Sequence, residues 1–125
     1  MNKNIAIYCK KYHPKLLEFL YKLPSNIIGV YDDLYNQASY DLPKFHYTDI
    51  NNRGYDIIID DLLLYERLKD KNNRIIYYIG NQSNNIDYQK LFSLIQRIDA
   101  VILPKNTSND LMEIVFKYTG ELIYV

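Results

Sequence analysis

A chain of 125 residues, 48% of them hydrophobic, makes one domain of ordinary size that can bury its own core without a metal or a disulfide to hold it. Lys plus Arg and Asp plus Glu both number 15, so the net charge is zero and the electrostatic footprint of a nucleic-acid or anionic-membrane binder is missing. The single cysteine, Cys9, lies in an apolar run, Ile5–Cys9, far too short for a signal or a membrane span, so the expectation is a cytoplasmic, reduced setting.

Short apolar runs then alternate with helical segments along the chain. Strands are expected at Ile5–Cys9, Ile27–Tyr31, Asp56–Asp60, Arg74–Ile79, Ala100–Leu103 and Glu121–Val125, with a short extra one at Phe45–Tyr47. Their apolarity is continuous instead of alternating, which is the pattern of strands covered on both faces in a parallel sheet. After the first strand, Pro14 suits a first helical turn, and Leu16, Leu17, Leu20 and Leu23 recur at helical spacing until Pro24 ends the run. Leu62–Lys69, Tyr88–Arg97 and Ser108–Lys117 also read as helices, the last opened by Thr107 with Asp110 three residues on and closed near Gly120. Asp32–Lys44 is the one long irregular stretch, carrying the Asn, Gln, Ser, Asp and Pro of a loop that takes insertions and ligand contacts. No repeat and no linker interrupts the pattern.

Strand–helix alternation with right-handed crossovers predicts a three-layer Rossmann-like α/β domain over residues 1–125. Its sheet is mainly parallel, of six or seven strands, with helices on both faces and the first strand central. In such a sheet ligands bind in the crevice beyond the strand C-termini. There the sequence places Lys10, Lys11, Tyr12 and His13 after the first strand, Asp32 and Asp33 after the second, and Asp60 and Asp61 after Asp56–Asp60. Gly80, Asn81 and Gln82, then Lys105, Asn106, Thr107 and Ser108, follow the later strands.

Several chemistries can be weighed from these residues. Asp32 and Asp33 stand where a dinucleotide fold puts its ribose-binding acid, but the loop after the first strand has no glycine where G-x-G-x-x-G needs three, so NAD or FAD binding is not expected. Lys10 and Lys11 near these carboxylates would form exposed pairs worth about 0–1 kcal/mol. His13 and His46 are the only histidines, with no third ligand at a known spacing, so no metal and no cofactor are expected; His13 fits a helix start and His46 a loop or sheet edge. Ser83, Ser108 and Cys9 lack any nucleophile context such as G-x-S-x-G.

Gly54-Tyr55-Asp56-Ile57-Ile58-Ile59-Asp60-Asp61, with Lys105 after a later strand, resembles the phospho-acceptor strand and lysine of response-regulator receiver domains. The first strand, however, ends in Cys9-Lys10 where a receiver has its magnesium-binding acidic pair, and Gly80 stands at the receiver's Thr or Ser. A wider match covers the second half of the chain. Tyr55-Asp56-Ile57-Ile58, Arg74–Ile79, Ile98–Lys105, Asn109–Ile114 and Leu122–Val125 fall in the order and linking lengths that resemble the N-terminal Rossmann-like domain of GT-B glycosyltransferases. Gly80 and Asn81 replace that family's His-Asp type pair, and Lys105 its usual Ser.

The resemblance implies an acceptor-side half without the domain that holds the sugar nucleotide, and hence a binding domain that is not catalytic alone. Such a half would work with a separate donor-domain subunit, belong to a longer enzyme, or have kept the fold while losing the chemistry. Under that reading Asp60 and Asp61 orient a hydroxyl or act as base. Lys10, Lys11 and His13 contact phosphate or acceptor, Asn81, Gln82, Lys105 and Asn106 lie along the crevice rim, and Asp32 and Asp33 are further ligand-binding residues. Asp60 and Asp61 are expected to be solvated, so that Asn at either costs little stability. The alternatives are a receiver-like domain that has lost its chemistry and a non-catalytic interaction module, the latter pairing through the edge strand Glu121–Val125 as a homodimer.

Overall fold

The computed structural model describes residues 4–32, 40–50, 54–68, 73–80, 89, 91, 93, 97–104, 109–118 and 122–124. Seven strands form one sheet: β1 (Asn4–Tyr8), β2 (Asn26–Tyr31), β3 (Lys44–His46), β4 (Tyr55–Ile59), β5 (Arg74–Tyr78), β6 (Ala100–Leu103) and β7 (Leu122–Tyr124). Their spatial order is β3-β2-β1-β4-β5-β6-β7 and every neighbouring pair is parallel. This is the α/β, Rossmann-like arrangement expected from the sequence.

The continuous apolar runs divide by the two-residue period of a strand. Ile5 and Ile7 of β1, Ile58 of β4, Ile76 of β5 and Ile102 of β6 belong to one core, joined by Leu16 and Leu20. Ala6 and Tyr8, Ile57 and Ile59, Ile75 and Tyr77, and Val101 and Leu103 belong to the other, with Leu64, Leu68, Leu91 and Val115. Leu16 and Leu20 come from α1 (Pro14–Tyr21), Leu68 from α2 (Tyr65–Leu68) and Val115 from α3 (Asn109–Tyr118). Helix α1 therefore covers one face, and α2 and α3 the other. The sheet order requires this under right-handed crossovers, because the chain steps one way from β1 to β2 and the opposite way from β4 onwards.

Local differences from the sequence reading have local causes. The expected helix over Leu62–Lys69 is a 3₁₀ turn, Leu62–Leu64, followed by α2. Asp61 starts it in the tighter form: its carbonyl accepts from Leu64 N at 3.0 Å and its Oδ1 from Leu63 N at 2.8 Å. Helix α1 opens at Pro14 as expected but closes at Tyr21, with Lys22 N turned back to Phe19 O at 3.1 Å. Gln89, Leu91 and Ser93 are helical within the Tyr88–Arg97 expectation, the rest of which lies largely outside the described residues, as do Thr107, Ser108 and Gly120.

Tyr8 and Tyr77 keep their phenols within the core, and burial pushes both hydroxyls well above their usual range, reinforced by Asp32 at Tyr8 and by Asp61 at Tyr77. The folded chain then holds protons that the unfolded chain releases above a tyrosine's ordinary pKa of about 10, so stability is full below that pH and falls as pH rises past it. Alkaline titration followed by tyrosinate absorbance should show these two phenols ionising together with loss of the circular dichroism signal, not ahead of it.

Candidate functional site

The reversal of winding lies between β1 and β4, so the crevice of this fold opens beyond Tyr8 and Ile59. Cys9 and Asp60 are the first residues past those strand ends. Asp60 is 1% exposed and lies at the centre of the site. Its Oδ1 accepts from Lys10 N at 2.8 Å, and its Oδ2 accepts from Lys11 N at 3.0 Å and meets His13 Nε2 at 2.7 Å.

The expectation of a solvated carboxylate is thus corrected at Asp60. Two backbone N–H groups and an imidazole replace the water that a strand-end aspartate would otherwise hold. The loop after β1 is the one that wraps the pyrophosphate in dinucleotide folds, and here its amides are satisfied by a carboxylate of the chain itself.

His13 is the residue before Pro14 at the start of α1, and its carbonyl accepts the first helical bond from Leu17 N at 3.1 Å. Its side chain makes no capping bond and turns to Asp60 instead. A carboxylate accepts but does not donate, so Nε2 carries a proton, and in the neutral imidazole Nδ1 then presents a lone pair. Among the described residues Nδ1 has no hydrogen-bond partner. The imidazole stands edge-on to Tyr78, with ring centroids 4.9 Å apart. The Tyr40 hydroxyl fixes the same loop from the other side, accepting from His13 N at 2.9 Å and donating to Lys11 O at 3.0 Å.

Cys9 forms the floor. Burial holds its thiol well above the usual range, and the Asp60 carboxylate reinforces the effect, so Cys9 stays a thiol and directs Sγ to Ile58 O at 3.7 Å. A thiol held in that state is not an activated nucleophile. Sγ, the His13 imidazole and the Asp60 carboxylate offer one ligand atom each, all within 4.8 Å of one another. His13 thus has neighbours of metal-ligating type, but neither is His46. His46 lies at the end of β3, its Nδ1 2.8 Å from Thr48 Oγ1.

Lys10 and Asp61 form the rim, Nζ to Oδ2 at 3.0 Å, with both side chains 29% exposed; such a pair contributes about 0–1 kcal/mol. The expected pairing of Lys10 and Lys11 with Asp32 is not what forms. Asp32 lies 3% exposed on the opposite face of the sheet, where it accepts from Tyr8 Oη at 3.3 Å and pairs with Arg67 of α2. Arg67 also lies over the Tyr47 ring, 5.1 Å from its centroid, and Tyr47 stacks on Tyr8. Asp32 is therefore engaged by an arginine at the position where a dinucleotide fold holds ribose.

Of the residues singled out from sequence, the structure gathers Lys10, Lys11, His13, Asp60 and Asp61 in one place and Asp32 in another. Asp33, Asn81, Gln82, Lys105 and Asn106 lie outside the described residues. Cys9, Tyr40 and Tyr78 were not singled out as site residues. The available signal was position alone, since Cys9 follows a central strand and Tyr40 lies in the long loop that the sequence marks for ligand contacts.

Gly80 closes β5 with φ at +59°, and a Cβ there would come within 3.0 Å of Tyr78 Cε1. Gly80→Ala should cost about 1–2 kcal/mol from the left-handed backbone and the displaced ring. It should also shift the His13 ring protons in an NMR spectrum, because Tyr78 is their neighbour; an unmoved His13 would contradict that coupling.

No family model, curated protein or solved structure matches this chain. No helix among the described residues is long and apolar enough to cross a membrane.

Proposed function

We propose that this chain is a ligand-binding α/β domain, organised like the acceptor-side half of a GT-B glycosyltransferase and not catalytic by itself. The observation that supports this reading is the convergence of the β1 and β4 loops on Asp60 at the point where the winding reverses. With the loop amides already bonded to a carboxylate, the crevice is a poor phosphate cradle. What it offers is hydrogen-bonding capacity of both kinds: the His13 Nδ1 lone pair, the Asp61 carboxylate and the Lys10 ammonium.

A polyhydroxylated ligand suits that set, since each hydroxyl both donates and accepts. Tyr12 is half exposed on the same loop and offers a ring face against which a sugar could stack. In this reading His13 accepts from a ligand hydroxyl while Asp60 holds the imidazole in one tautomer, and Lys10 and Asp61 select orientation at the rim.

The test is an NMR titration of the full chain with a panel of mono- and disaccharides in the presence of a chelator. Amide shifts centred on Lys10–His13 and Asp60–Asp61 are expected, and they should be lost in Tyr12→Ala. Saturating sugar without shifts there, or with shifts centred elsewhere, overturns the proposal. The lone chain should neither hydrolyse nor transfer from sugar nucleotides, and turnover by it would refute the half-enzyme reading.

A second reading, an interaction module, draws on the position of β7 at the end of the sheet order, where one edge of its backbone faces no described strand. A homodimer through that edge should appear as twice the monomer mass in light scattering. Sugar binding by a strict monomer would favour the first reading.

A further inference from the structure

We propose that Cys9, His13 and Asp60 form a binding site for a borderline divalent cation of the zinc type, at the floor of the crevice. The inference goes beyond the ligand reading above and does not depend on it, since it needs only these three side chains. They come from two strand ends and a helix start that the parallel pairing of β1 with β4 brings together, and their ligand atoms all lie within 4.8 Å of one another.

The donor set selects the class of ion. One sulfur, one imidazole nitrogen and one carboxylate oxygen suit Zn²⁺ or Co²⁺, whereas Mg²⁺ and Ca²⁺ need shells of oxygen. Three protein ligands also leave the fourth tetrahedral position for water or a ligand, which is the pattern of an open zinc site.

Charge balance favours the ion. A thiolate and a carboxylate together neutralise a dication, so the apolar surroundings that penalise an isolated charge at Cys9 hold a neutral cluster instead. Proton balance is simple, starting from the neutral imidazole. The cation takes the Nε2 lone pair as the Nε2 proton passes through solvent to Nδ1, and the Cys9 thiol releases one proton to solvent. Asp60 keeps its bonds from Lys10 N and Lys11 N, which fix the ligating carboxylate from behind.

The ligand atoms, now up to 4.8 Å apart, must draw in by as much as about 1.3 Å at the widest pair to enclose an ion. Ligand atoms around tetrahedral zinc lie about 3.3–3.6 Å apart, as follows from metal–ligand distances of about 2.0–2.3 Å. His13 Nε2 and Asp60 Oδ2, now 2.7 Å apart, must separate by about 0.6 Å, which a rotation of the imidazole supplies.

The experiment loads the full chain with Co²⁺ as an optical probe and with Zn²⁺ for X-ray absorption. One cobalt per chain with a thiolate-to-cobalt charge-transfer band is expected. His13→Ala should weaken binding by at least about tenfold, while His46→Ala leaves it unchanged. Zinc-loaded wild-type protein should show one sulfur at about 2.3 Å and lighter ligands at about 2.0 Å, a measurement that does not require any variant to fold. A first shell without sulfur, or cobalt binding that is lost in His46→Ala and retained in His13→Ala, overturns the proposal. Because no sugar is present here, and chelator is present in the sugar titration, either proposal can fail without the other.

Discussion

Asp60→Ala is expected to lower the free energy of unfolding by about 3–5 kcal/mol. The truncation removes the acceptor of two loop amides and the partner of His13 at a position 1% exposed, where little water can take its place. Each orphaned donor costs about 1–3 kcal/mol, and the loop before α1 loses its attachment to β4. Asp60→Asn keeps one acceptor oxygen but turns an amide NH₂ towards a donor, so it should fall between Ala and wild type. Urea denaturation followed by circular dichroism measures both. An Ala variant within about 1 kcal/mol of wild type, less than one orphaned donor, would show that the loop is held by other means.

Arg67→Ala is expected to cost about 2–4 kcal/mol. It withdraws the guanidinium from Asp32, a carboxylate 3% exposed, and uncovers the Tyr47 ring that stacks on Tyr8. The Arg67 side chain is 23% exposed, which keeps the estimate below that for Asp60. In a double-mutant cycle with Asp32→Asn, the pair should cost clearly less than the sum of the singles, because the second change removes the charge that the first one strands. Strict additivity would mean that the two side chains act independently.

The elements of this fold were legible in the sequence because their signals are local. Six apolar runs gave six strands to within a residue or two, Pro14 set the start of α1, and Lys44–His46 formed close to the short strand expected there. The one-residue offsets at strand ends matter more than their size suggests. Cys9 and Asp60 were read as the last residues of strands, whereas β1 stops at Tyr8 and β4 at Ile59. Cys9 stays in the core on the α1 face, while Asp60 takes up the amides of Lys10 and Lys11.

The site itself was only half legible. Strand-end polar residues could be named from the fold class, but their partners could not. His13 meets a residue 47 positions away, and Lys10 an acceptor 50 positions away. Periodicity carries no information at such separations. Asp32 illustrates the same limit: the sequence suggests the lysines after β1 as its partners, but the fold brings it Arg67 of α2 from the opposite layer.

The amides of Lys10 and Lys11 have a consequence for how this protein comes into being. Their acceptor is Asp60, which leaves the ribosome 50 residues after Lys10. During synthesis the loop before α1 can therefore be held by the Tyr40 hydroxyl alone, and its Lys10 and Lys11 amides gain their acceptor only when β4 docks beside β1. Assembly of the central strand pair and completion of the crevice wall are one event. A nascent or truncated chain that stops short of β4 can build β1, α1 and β2, but it cannot yet have a site.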